Sequence, residues 1–191
     1  LNNNAEEIAV KLGELAKKLV VGNAVNEATD CGPLIRNKEV DRVSSWVDEA
    51  ISSGGKLICG GERYSASCYF PTVLLNPPLG SLVATQEIFG PVISVSPFDT
   101  IDEAINMAND TKYGLAVSVW SENVEKVLQV SRQVQAGRFW VNTTLAGGPE
   151  LPLGGFKQSG WGREAGKYGV EEYTQIKSVH FSTGKRVHWI Q

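Results

Sequence analysis

Val92-Ile93-Ser94-Val95, then Ser96-Pro97-Phe98-Asp99-Thr100, then Ile101-Asp102-Glu103-Ala104-Ile105-Asn106-Met107-Ala108-Asn109 is the stretch that decides the fold class of this chain. Its first four residues have the apolar, β-branched character of a buried strand. Asp99 or Thr100 supplies an N-cap, and Ile101, Ala104, Ile105 and Ala108 recur at helical spacing on one face. The alternation continues with a strand over Leu115–Trp120, a helix over Asn123–Val134 and a strand over Arg138–Val141. This order, with short connections, predicts an α/β fold: a mostly parallel, Rossmann-like sheet with helices on both faces. Ligands sit at the carboxyl ends of such strands, which directs attention to the loop after Val141 and to the segment around Glu87.

Working outward, Ala5–Val20 places Ile8, Leu12, Leu15, Ala16 and Leu19 on one helical face. Asn37 caps a second helix to about Ser53, with Val40, Val43, Trp46, Val47 and Ala50–Ile51 inward. Lys56–Cys59 reads as a short strand. Tyr69–Leu75 is β-rich, with Pro71 demoting it to an edge or marking a strand start. Leu82–Glu87 forms a helical turn ended by Gly90-Pro91. Past the last predicted strand, Tyr168–Thr174 is helical, Ile176–Phe181 alternates like an exposed strand, and Ser182–Gln191 is a tail.

With 191 residues, 42% hydrophobic and 20% charged, the chain has the length and composition of one globular domain. A net charge of −3 offers no electrostatic case for nucleic acid or an anionic membrane. The apolar runs are too short for a membrane-spanning helix, and no secretory signal is visible. Cys31, Cys59 and Cys68 lack metal-type spacing, and His180 and His188 are the only histidines, so a reduced, cytoplasmic protein without a histidine metal site is expected. Leu1 is not a start methionine, and Met107 is the only methionine, so the chain reads as a processed product or a piece of a longer polypeptide.

Pro149-Glu150-Leu151-Pro152-Leu153-Gly154-Gly155-Phe156-Lys157-Gln158-Ser159-Gly160-Trp161-Gly162-Arg163-Glu164 interleaves four glycines with cationic and hydroxyl side chains. Glycine at this density suits a tight loop where backbone approaches either another backbone or a ligand. Together with Glu87-Ile88-Phe89-Gly90-Pro91-Val92 and Trp140-Val141-Asn142, this segment closely resembles the NAD(P)-dependent aldehyde dehydrogenase superfamily. The resemblance runs from about Leu1 to Phe181 and is to the C-terminal, catalytic-domain portion. It implies residues 1–175 as that portion, followed by an oligomerisation strand and tail over 176–191.

By the same resemblance, Glu87 accepts hydrogen bonds from the nicotinamide ribose hydroxyls and Phe89 packs near the nicotinamide ring. Read on their residues alone, Glu87 caps or solvates a helix end and Phe89 belongs to the core. Thr143–Pro152, with Leu145, Gly147, Gly148 and Glu150, lines the substrate entrance. Leu153 stands where many relatives carry an aromatic residue near the aldehyde, which implies a less aromatic pocket; otherwise it packs under the glycine turn. Lys157 and Gly160 match residues whose backbone oxygens help hold a monovalent cation. Glu164 matches a charge-relay residue that communicates with a lysine elsewhere; alternatively Arg163 and Glu164 form structural ion pairs.

The resemblance also implies chemistry this chain does not supply. Aldehyde oxidation in the family needs an attacking thiolate. Cys31 follows Asp30, whose charge opposes thiolate formation. Cys59 falls in a predicted strand and Cys68 in a serine-containing stretch. The nucleophile motif, the glutamate base and the phosphate-cradling loop are expected upstream of Leu1, so no residue is assigned a catalytic role. The expectation is part of a cytoplasmic, homo-oligomeric enzyme that oxidises a small aldehyde with NAD or NADP, the 191 residues alone being inactive. The alternative is a non-catalytic assembly module that pairs through Ile176–Phe181.

Overall fold

The structure, a computed structural model, describes residues 3–184. In chain order its elements are α1 (Asn3–Ala16), α2 (Asn37–Ser52), β1 (Lys56–Cys59), β2 (Thr72–Leu75), α3 (Leu82–Thr85), β3 (Val92–Val95), α4 (Ile101–Asn109), β4 (Tyr113–Gly114), β5 (Ala116–Val119), α5 (Val124–Gln133), β6 (Arg138–Val141), β7 (Phe156–Lys157) and α6 (Gly166–Glu171). They gather into two compact units: residues up to Lys112 with Leu128–Val134, and Tyr113–Val127 with the residues from Gln135 onward.

In the first unit the three-to-four spacing of apolar residues along α2 becomes a core. Val40, Val43, Val47 and Ala50 are fully buried against Tyr69, Leu74 and Val83. Helix α1 contributes Ala9, flanked by Leu12 and Ala16, to a second cluster with Cys59 and Val73. β2 lies at the centre of a three-stranded sheet, antiparallel to β1 and parallel to β3, with Thr72 facing Val92 and Leu75 facing Val95. Pro71 precedes the first residue of β2, so of its two readings the strand start is correct. Helix α2 begins at Asn37 itself. Arg36 is the N-cap and makes no side-chain capping bond, which corrects the expectation that Asn37 caps it.

In the second unit β5 and β6 run parallel, Ala116 opposite Arg138 and Val119 opposite Val141, and α5 connects them in sequence. β4 and β7 form a short antiparallel pair. The expected order of strands and helices is present. Hydrogen bonding nevertheless distributes the strands over three small sheets, β1-β2-β3, β4-β7 and β5-β6, not one parallel sheet. Hydrophobic pattern sets which face of a strand is buried, but it does not name the strand's neighbour.

Ile176–Phe181 is not a strand in the structure, and its residues are exposed. An extended segment becomes a strand only when its N–H and C=O groups meet a partner edge, and this segment meets none among the described residues. Of the expected tail, residues 185–191, with His188 among them, lie outside the described residues.

Candidate functional site

The loop from Glu87 to Gly90 links α3 to β3 and owes its shape to one unusual residue. Phe89 has φ +48°, the left-handed region that non-glycine residues seldom enter. Its ring is 78% exposed, so the reading of Phe89 as core is incorrect. Glu87 is exposed as well, and it caps nothing: Ser81 and Gln86 occupy the ends of α3. Between them Ile88 packs on the α2 core. Arg42 of α2 donates from Nη2 to the Ile88 carbonyl at 2.5 Å and from Nε to Glu39 Oε2 at 2.7 Å. Its guanidinium lies 4.3 Å from the centre of the Trp46 ring. The hydrogen bond from Arg42 holds the Glu39 carboxyl below its ordinary range.

These groups surround a groove of about 540 Å³ lined by Arg36, Glu39, Arg42, Trp46, Glu87 and Phe89. An exposed carboxylate accepts from vicinal hydroxyls and an exposed aromatic face suits a flat ring, while the guanidinium groups of Arg36 and Arg42 are paired with Glu39. That donor and acceptor set fits a nicotinamide nucleotide. Sequence reading missed Arg42 as part of this site. The signal was present in its spacing, with Glu39 three residues before it and Trp46 four after, both on the same helical face.

In the second unit Leu153 and Glu164 are joined by backbone bonds, Leu153 N–H to Glu164 O at 2.8 Å and Glu164 N–H to Leu153 O at 2.7 Å. The glycine-rich segment between them closes as a loop. A Cβ on Gly137 would fall 1.7 Å from the Gly154 carbonyl oxygen, so at this point the close approach is of backbone to backbone. Arg163 donates from Nη1 to the carbonyls of Gly155, at 3.2 Å, and Gly162, at 2.7 Å. Its guanidinium is thus spent on carbonyls of its own loop. Ser159 Oγ accepts from Gly114 N–H at 2.9 Å.

Within that frame Leu153 is half-buried and lines a hollow of about 430 Å³ with Leu115, Trp161, Arg163, Glu164 and Glu172. Lys157, in β7, and Gly160, in the turn beyond it, both have left-handed backbones, φ +54° and φ +125°. Leu145, φ +55°, is 86% exposed on the loop that follows β6. Asn142 anchors the start of that loop. Its Oδ1 accepts from Ser121 N–H at 2.8 Å, and its Nδ2 donates to Ser121 O at 3.1 Å.

None of the three thiols is fully exposed. Cys59 and Cys68 are buried. The Cys31 thiol is pushed above its ordinary value of 9.0, first by burial and then by Cys68 and Asp30. Desolvation, not the neighbouring carboxylate singled out from the sequence, is the main cause. Among the described residues no cluster of His, Cys, Asp and Glu is arranged to hold a metal ion. None of their helices is long and apolar enough to cross a membrane.

The sequence pattern of the aldehyde dehydrogenase family matches residues 2–179. A cytosolic aldehyde dehydrogenase 2 of Macroscelides proboscideus is 39% identical over 95% of this chain and 76% of its own length. The 3-sulfolactaldehyde dehydrogenase of Priestia megaterium is 42% identical over 88% of this chain and 35% of its own. Among solved structures, an NAD-dependent aldehyde dehydrogenase from Sinorhizobium meliloti superimposes with a TM-score of 0.89 at 41% identity, over 98% of this chain and 38% of that one. An aldehyde dehydrogenase from Mycobacterium tuberculosis, solved with NAD+, gives 0.86 at 38% identity over 97% of this chain and 39% of that one. Except for the Macroscelides protein, the chain spans little more than a third of each of these proteins.

Proposed function

The chain belongs to the aldehyde dehydrogenase family, and from that membership we propose that it supplies the nicotinamide-ribose and substrate-tunnel contacts of an enzyme that oxidises an aldehyde to a carboxylic acid with NAD or NADP. The observation that carries this reading is the shared groove of Glu87 and Phe89, both exposed on a loop held to α2 by Arg42. Bound NAD(P) supplies the hydride acceptor. Glu87 accepts hydrogen bonds from the ribose hydroxyls, and Phe89 lays its ring beside the nicotinamide. In the second unit Leu145 and Leu153 wall the aldehyde path. The backbone oxygens of Lys157 and Gly160 would help to hold a monovalent cation, and Glu164 would communicate with a lysine elsewhere in the enzyme. Two buried thiols and one with a raised pKa are poorly suited to attack a carbonyl, which supports placing the nucleophile and general base in another part of the enzyme.

The enzyme is read as cytoplasmic and homo-oligomeric, with residues 1–175 in its catalytic domain and 176–191 as joining strand and tail. One observation keeps the assembly-module reading alive beside it: Tyr173, Ile176, Val179 and Phe181 are all exposed.

The test is Glu87→Gln in the full-length enzyme. Losing charge-assisted acceptance from the ribose is expected to slow single-turnover NADH formation by about ten- to a hundredfold. Affinity for the adenine half of the cofactor should stay within about twofold, since a residue that binds only the nicotinamide half contributes nothing there. An unaltered hydride step would reject the role.

A further inference from the structure

We propose that Arg138 and Trp140 form a clamp on the Ala146 carbonyl that sets the conformation of the loop after β6, and that this clamp governs which aldehydes pass. The second half rests on the reading of that loop as a substrate wall. Both side chains belong to β6 and both donate to one acceptor: Trp140 Nε1 reaches Ala146 O at 2.5 Å and Arg138 Nη2 reaches it at 3.3 Å. The guanidinium also lies 5.3 Å from the centre of the Trp140 ring, so each donor helps to orient the other.

Gly147 completes the arrangement. A Cβ there would fall 2.0 Å from Arg138 Nη2, and its φ of +137° is one that side-chain-bearing residues rarely adopt. The glycine therefore admits the guanidinium to the loop backbone. Besides the clamp, the loop is secured at its ends. Asn142 holds Ser121 at the start, and Pro149 O accepts from Gly166 N–H at 2.7 Å at the finish. Between these anchors, among the described residues, the backbone of Thr143 to Gly148 pairs with other backbone only at Gly148 O, which accepts from Leu151 N–H at 3.2 Å. The Ala146 carbonyl is thus where β6 grips the middle of the loop, one residue from the exposed Leu145. Arg138 and Trp140 are positioning residues: they act on substrate through the loop.

Three variants test this: Trp140→Phe, which keeps the ring and removes the donor; Arg138→Lys, which keeps the charge and removes the fork; and Gly147→Ala, which displaces the guanidinium without altering β6. In the 191-residue chain, chymotrypsin cleavage after Leu145, followed by mass spectrometry, should accelerate about tenfold in each, while the thermal midpoint barely moves in Trp140→Phe and Arg138→Lys and falls in Gly147→Ala, whose backbone is strained. In the full-length enzyme, the preference in kcat/KM for a short straight-chain aldehyde over a bulky aromatic one should fall about tenfold, with KM for NAD+ within about twofold. Unchanged cleavage in all three variants overturns the clamp. Faster cleavage with unchanged aldehyde preference leaves the clamp standing and overturns its control of substrate, and with it the substrate-wall reading of the loop.

Discussion

Cys31, Cys59 and Cys68 show how far a residue's chemistry depends on what surrounds it. A thiol attacks a carbonyl only as thiolate, and burial works against the charged form. Cys31, the most accessible of the three, has its pKa raised, so at neutral pH it is overwhelmingly protonated. The 191-residue chain is therefore expected to reduce no NAD+ with any aldehyde, followed by absorbance of NADH. Measurable turnover would show that one of these thiols does react. Phe89 makes the complementary point about exposure. Composition favours a buried phenylalanine, yet a left-handed backbone presents this ring to solvent beside Glu87. Nothing in the residue type announces that.

At the scale of elements, local chemistry was the better guide. Helix α4 starts where the N-cap reading placed it. Thr100 Oγ1 accepts from Glu103 N–H at 3.1 Å, and Glu103 Oε2 accepts in turn from Asp99 N–H at 2.7 Å. Of the two candidate caps the structure chose the threonine, because only its backbone leads directly into the first helical residue. Thr100→Ala should cost about 1 kcal/mol, read as a lower urea midpoint at unchanged slope; no change would mean that Glu103 alone carries the start of the helix. Strands β1, β3 and β6 match their expected bounds residue for residue. Helix α2 does too within one residue, although its cap does not, since the bond Asn37 was expected to make is absent. A helix of sixteen residues with four fully buried apolar positions needs no cap to be stable.

At the scale of the whole molecule, the segment from Ile176 to Phe181 carries the sharpest question. Its alternating pattern suits a strand, and its Ile176, Val179 and Phe181 are exposed among the described residues. If it joins subunits by strand addition, deleting residues 176–181 from the full-length enzyme should lower the oligomer mass measured by light scattering. An unchanged mass would remove it as the joining element.

Periodicity, caps and glycine spacing are local properties, and from them the sequence by itself determined the α/β class, the bounds of most elements and the family to which the motifs belong. Partner choice is not local. Which strand lies beside β3, which backbone fills the space at Gly137, and which guanidinium grips Ile88 or Ala146 depend on residues far apart in the chain meeting at hydrogen-bond distance. Only the tertiary structure decided these, because a donor's energy is realised only where an acceptor arrives, and sequence spacing does not say where that is.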